Sequence, residues 1–270
     1  MFAISIAALS LLQAAMIGLP ARVPFGAFAL ARSRWWALVM PASIIVVIGG
    51  IALAPNLADA LTYLALAAVP PLAALALAGL IRGARPQWAI AVVPLFGLAW
   101  ASRGSLVGEA SAYALTALAC VTLGSLLVAL VPRHWIRAGV YAMAVVDVVF
   151  VATNLLQHPN SILEHAAPAA GLPQLQSVVL GSAAMGFGDL FIAATVGALL
   201  AAEGRRRGGA VALAAGLGLA FDLLFTLVVE LPTTVPIALT LALVDRQRAA
   251  AARDQPAADL NRPQPSELPP

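Results

Sequence analysis

Gly186-Phe187-Gly188-Asp189 lies inside a long apolar run. If that run crosses a bilayer, the carboxylate is expensive. A charge at the bilayer centre costs ~2.5–3.5 kcal/mol or more, so ionisable residues there are rare and usually functional. Two further aspartates, Asp147 and Asp222, sit in other apolar runs. Two carboxyls brought together in a low-dielectric site do not both ionise easily and tend to share one proton. Such a pair can hydrolyse an amide: one carboxylate activates water as general base, while the protonated partner polarises the scissile carbonyl. Sharing a proton also lowers the burial cost, since one charge is buried rather than two. Gly186 and Gly188 flank the site. Glycine inside a helix costs ~1 kcal/mol relative to alanine, and it lets a second backbone approach or the helix unwind. Small residues at this spacing are also common helix-packing devices in membranes.

The elements that must position these groups are set by composition. The chain of 270 residues is 62% hydrophobic and only 10% charged, with a mean hydropathy of +0.95. A soluble domain is nearer half apolar and a quarter charged, so the expected fold is all-α, a polytopic membrane protein. A net charge of +3 would suit nucleic acid, but no basic patch is interleaved with aromatics and no nucleic-acid partner is expected. All fifteen basic residues are arginine, placed in short breaks between apolar runs. The single cysteine, Cys120, excludes an internal disulfide and reads as a small buried hydrophobe. His134, His158 and His165 share no metal-ligand spacing, and neither metal nor cofactor is expected. The first apolar run lacks a basic leader, which argues against a cleaved signal peptide.

A spanning helix needs ~20 apolar residues. Nine candidates form one transmembrane domain over residues 1–244: about 2–19, 36–54, 57–81, 87–102, 110–131, 136–156, 176–202, 209–229 and 231–244. Pro70–Pro71 suggests a kink in the third. Residues 20–34 could be interfacial or re-entrant. Arginine placement tests the count, because positive charge marks the cytoplasmic side. Fourteen arginines fall in the first, third, fifth and seventh loops and the tail, all on one side of a nine-span chain. Arg103 alone falls opposite. The N-terminus is therefore expected outside and the C-terminus in the cytoplasm, with residues 245–270 a disordered tail.

Depth then pairs the carboxylates. At ~1.5 Å per residue, Asp147 lies ~18 Å from the cytoplasmic end of span six. Asp189 lies ~21 Å from the same side in the antiparallel span seven. Asp222 is at a comparable depth in span eight.

Three stretches share a pattern: AVVDVVFV (Ala144–Val151) in span six, GFGDLFIAATVGALL (Gly186–Leu200) in span seven, and LPTTVPIALTLAL (Leu231–Leu243) in span nine. This resembles the presenilin and signal peptide peptidase family of Gly-x-Gly-Asp intramembrane aspartyl proteases, in a prokaryotic-type member. The resemblance covers the second half of the chain by motif and the first half by span count. It implies a presenilin-like bundle in a prokaryotic cell membrane, with Asp147 and Asp189 catalytic. It implies that Gly186, Phe187 and Gly188 shape the catalytic loop. It also implies that Pro232, Thr233, Thr234, Val235 and Pro236 hold an extended substrate strand by backbone pairing. Two positions depart from the family pattern. Val146 replaces the tyrosine before the first aspartate, and Thr233-Thr234-Val235 stands where the family has Pro-Ala-Leu. The first bears on hydrogen-bond support of Asp147 and the second on substrate docking. An outside N-terminus matches the signal peptide peptidase orientation. The implied substrates are then single-span segments with a cytoplasmic N-terminus, including signal-peptide remnants.

Two other readings stand beside it. One is a non-catalytic relative acting as a membrane scaffold. The other is a proton-coupled transporter with Asp147, Asp189 and Asp222 as a relay, its helices broken at Pro41, Pro70, Pro94 and Pro236. No inverted repeat is visible.

Overall fold

The computed structural model describes residues 2–21, 31–166, 168, 171–226 and 231–253. The fold is all-α apart from one small hairpin. In chain order the elements are α1 (Phe2–Met16), α2 (Val39–Leu53, led by a 3₁₀ turn Arg34–Leu38) and α3 (Leu57–Leu75, closing in a π turn Ala76–Leu80). Next come α4 (Val92–Ala101, led by a 3₁₀ turn Pro86–Ala91), α5 (Leu106–Leu130), α6 (Arg133–Ala152) and α7 (Gln157–His165). Strands β1 (Ser177–Leu180) and β2 (Ala183–Gly186) precede α8 (Phe187–Ala202), α9 (Gly208–Asp222, then a 3₁₀ turn Leu223–Thr226) and α10 (Thr234–Arg253).

Among the described residues, five helical stretches are long and apolar enough to cross a membrane: Arg34–Leu53, Leu57–Leu80, Leu106–Leu130, Arg133–Ala152 and Gly208–Phe225. Phe2–Met16, Pro86–Ala101 and Phe187–Ala202 are apolar but shorter. This is fewer than the nine full-length helices the apolar runs suggest. The outer surface carries large apolar side chains, with Leu53 90% exposed and Ile4 and Ile90 each 76% exposed. All five tryptophans are also exposed. They lie at helix ends beside arginines, where an amphipathic ring sits at a membrane interface.

The core is organised around α5, which is buried along most of its length and packs chiefly on α8, with α3 and α4 on its flanks. Small residues allow this. A Cβ on Gly124 would come within 2.8 Å of the Thr195 backbone nitrogen, so α5 and α8 approach backbone to backbone.

Two expectations change. Residues 176–202 are not one helix: Ser177–Gly186 form an antiparallel hairpin pairing Ser177 with Gly186 and Leu180 with Ala183. Val178 and Val179 favour extended backbone, and Gly181, at φ +62°, makes the tight turn. The tail is not disordered from Asp245, because α10 runs on to Arg253; residues 254–270 lie outside the described residues. Asn154 ends α6 in a left-handed turn at φ 55° and accepts from Gln157. Residues 22–30, most of the suggested re-entrant piece, also lie outside the described residues, as does Glu230.

The arginine-bearing loops gather at one end. Arg32 donates to the Val131 carbonyl and Arg133 to that of Ala202. Arg207 donates to Pro20, and the Arg82 N–H to Leu19. There Arg137 bridges Glu203 at 2.8 Å and Asp245 at 2.7 Å, and Arg205 joins Asp245 at 3.1 Å. This clasp ties α6, α8 and α10 together. Arg103 lies at the other end against Gly171. There the Gly181 N–H donates to Glu109 at 2.7 Å.

Candidate active site

Asp189 is set by the start of α8. The hairpin delivers an extended Gly186 (φ −70°, ψ 151°), which is the N-cap. The side chain three residues on reaches back, so the Gly186 N–H donates to Asp189 Oδ2 at 3.2 Å. This is the carboxylate half of a capping box, and it places an anion at the positive end of the helix macrodipole. Gly186 is not required by its backbone angles, which any residue can adopt. Space is tight instead: a Cβ there would stand 3.2 Å from Asp189 Oδ2, which would have to give by a few tenths of an ångström. At Gly188 the nearest atom to an added Cβ is the flexible end of Met143, at 3.4 Å.

Asp147 lies in α6, 6% exposed, over the start of α10. Thr234 is the first residue of that helix. Its hydroxyl donates to Asp147 Oδ2 at 2.6 Å and its N–H to the same oxygen at 3.3 Å. Val146, the residue before Asp147, has no side-chain donor, and the support comes from Thr234 instead. Tyr141 lies toward the clasp, close enough to Arg137 and Asp245 to feel their charges, and does not serve Asp147.

The two carboxylates are electrostatic neighbours, and Thr233 stands beside Asp189, the backbone carbonyls of both accepting from Gln13. Asp147 is buried and Asp189 half-buried. Of the residues singled out in the sequence, Asp147, Asp189, Gly186, Thr233 and Thr234 therefore converge. Phe187 contributes its carbonyl, which accepts the Cys120 thiol at 3.8 Å; that cysteine is fully buried in the hydrophobic core, as a small apolar residue would be. Pro232 accepts the Val235 N–H in the first turn of α10, and Pro236 follows, buried, within that helix.

Two residues escaped sequence reading. Gln13 of α1 is 4% exposed, and its amide donates to the carbonyls of Asp189 at 3.2 Å and Thr233 at 3.4 Å. It ties the starts of α8 and α10 to each other. Ser10, one turn earlier, donates to Asp222 Oδ1 at 2.9 Å. The available signal was a polar residue at each position in a mostly apolar helix, which also carries Ser5. Among the described residues, no three His, Cys, Asp or Glu side chains gather around a point where a metal ion would fit.

Fold and site together define a helical, membrane-type bundle holding paired carboxylates where two helices begin. No protein-family model, curated protein or solved structure matches the chain.

Proposed function

We propose that this chain is an intramembrane aspartyl protease whose Asp147–Asp189 pair activates water against a peptide bond. The observation that carries the reading is the pairing itself. Carboxylates of α6 and α8 lie as electrostatic neighbours by the starts of α8 and α10, Asp189 held by the Gly186 N–H and Asp147 by the Thr234 N–H and hydroxyl. With one proton shared, the ionised carboxylate takes a proton from water as its oxygen attacks the scissile carbonyl carbon. The protonated partner donates to the carbonyl oxygen. Collapse of the tetrahedral intermediate breaks the C–N bond, and the proton passes to the leaving amine. Neither metal nor cofactor enters the scheme.

The substrate is a single-span membrane segment or signal-peptide remnant, locally unwound, because a helical peptide bond is shielded from attack. The non-helical hairpin before α8 and the Pro232–Val235 segment before and into α10 frame the pair and offer backbone groups to an extended strand. The chain passes the membrane nine times. The short passes are completed by non-helical pieces: α8 rises only ~24 Å over its 16 residues, and the hairpin makes up the rest of a ~30 Å hydrocarbon core. The gathered arginine loops favour a cytoplasmic C-terminus and an outside N-terminus.

The test is cleavage of a fluorescent single-span peptide by protein reconstituted in liposomes. Asp147→Ala and Asp189→Ala should each lose ~10²–10⁴-fold in turnover. Mutants that cleave as fast as wild type would end the protease reading. A folded wild type that cleaves nothing across a panel of such peptides would favour the scaffold.

A further inference from the structure

Asp222 has no part in the scheme above, yet it lies 14 residues along α9 from Gly208, ~21 Å from the arginine-rich end. Asp189 lies 14 residues from Glu203 along α8, at the same depth. One Asp222 oxygen accepts the Ser10 hydroxyl at 2.9 Å. The other is shielded from the surface and has no partner among the described residues. An orphaned buried carboxylate oxygen is costly unless a water satisfies it. Ser10 and Gln13 stand three residues apart on α1 and so share a face, with Cβ atoms ~5–6 Å apart. Gln13 in turn bonds the carbonyls of Asp189 and Thr233. A continuous polar row therefore crosses the bundle from Asp222 through Ser10 and Gln13 to the carboxylate pair.

The surrounding backbone points the same way. On the side of the pair away from the clasp, Ser177–Gly186 form a hairpin. After α9 the chain turns as 3₁₀ helix, and Leu231–Thr233 are not helical. Non-helical backbone at membrane depth is tolerated only where it is buried in protein or lines a water-filled cavity.

We infer that Asp222 and Ser10 line a hydrated track that brings water to the Asp147–Asp189 pair from the end of the bundle opposite the clasp. The role in hydrolysis rests on the protease reading; the hydration does not. Ser10 interposes a hydroxyl between Asp222 and Gln13, and the unpartnered Asp222 oxygen anchors the first water.

Thiol accessibility tests this on the full chain in liposomes, with Cys120→Ala as background. Ser10→Cys and Asp222→Cys should react with a membrane-impermeant cationic methanethiosulfonate at least tenfold faster than Leu64→Cys. Leu64, 61% exposed on α3, faces outward from the bundle. The reagent needs an ionised thiol, which forms in water and not in lipid. Equal rates at all three positions overturn the track even if the protein cleaves. Fast labelling in a protein that cleaves nothing keeps the track and removes only its role in hydrolysis. Ser10→Cys is nearly isosteric, so it answers the question if Asp222→Cys fails to fold. In a cleaving protein, Asp222→Leu should lose at least tenfold more turnover than Asp222→Asn, because polarity holds water and charge is not needed. Equal losses would make the carboxylate a proton carrier and overturn the water route.

Discussion

The hydroxyl and N–H of Thr234 converge on one oxygen of Asp147, so a change at Thr234 reads directly on the pair. A hydrogen bond to a charged group is worth ~1.5–3 kcal/mol, on the order of 10–100-fold in rate. Thr234→Val keeps shape and the N–H but removes the hydroxyl, and should lower kcat by that factor. Thr234→Ser should restore most of it. Peptide-cleavage kinetics decide; a Thr234→Val enzyme at wild-type rate would show that the hydroxyl is idle. The two glycines should separate as well. Gly186→Ala presses a methyl to 3.2 Å from Asp189 Oδ2 and should cost at least tenfold in kcat. Gly188→Ala meets only the movable end of Met143 and should cost several-fold less, measured on the same peptide. The carboxylate pair was legible in the sequence because an aspartate in an apolar run stands out and depth arithmetic gives it a partner. The role of Thr234 was not, because the text shows a motif departure and not the oxygen that the hydroxyl meets. Gln13 was hidden for a related reason: its partners lie 176 and 220 residues away.

At the scale of elements, the hairpin was the feature lost to the apolar count. Its signals were present: Val178-Val179 is β-branched, and Gly181-Ser182 is a two-residue turn pair. They were absorbed because residues 176–202 also satisfy the length and apolarity of a spanning helix, and periodicity does not separate a short apolar strand from a buried helix. The consequence is functional. A helix through Ser177 would have put Asp189 mid-helix, with no free N–H to bond. The strand instead delivers Gly186 as an N-cap whose N–H reaches the carboxylate. Gly181 is the point on which this turns. Its φ of +62° costs an L-residue ~1–2 kcal/mol, and a Cβ would fall 2.6 Å from Ser5 Oγ. Gly181→Val should therefore destabilise the protein by about 1–3 kcal/mol and reduce cleavage more than the lost folded fraction accounts for. Thermal unfolding beside single-turnover kinetics separates the two effects. Cleavage that falls only in step with folded protein would leave the hairpin a connector.

For the molecule as a whole, the arginine distribution was the most legible property. Its loops do meet at one end, because every second break between apolar runs returns the chain to the same face. What the distribution did not disclose is that these charges are used structurally. Arg137 stands between Glu203 and Asp245, Arg205 adds a second cation to both, and Arg248 approaches Glu203 at 3.8 Å. Burial pulls the Asp245 carboxyl toward its neutral form. The hydrogen bond and charge of Arg137, followed by those of Arg205, outweigh that and hold it below its ordinary value. A carboxylate lowered in the folded state stabilises the fold above its unfolded value, near pH 3.9, and that contribution is lost as pH falls through the folded value. Purified protein in detergent should thus hold its Tm from neutral pH to about pH 5 and lose it progressively below about pH 4. Asp245→Asn should start lower and fall less steeply over the same acid range. Arg137→Ala removes the closer of the two cations that Glu203 and Asp245 share, at a site only 21% exposed on the arginine side. It should cost about 1–3 kcal/mol, between the worth of a surface pair and a buried one. Because the clasp joins the far ends of the helices that carry Asp147, Asp189 and Thr234, the same variant should lower kcat at a temperature where it remains folded. An Asp245→Asn protein with the wild-type acid slope would locate the acid sensitivity elsewhere, and an Arg137→Ala protein with unchanged Tm and kcat would leave the clasp without a role in holding the site.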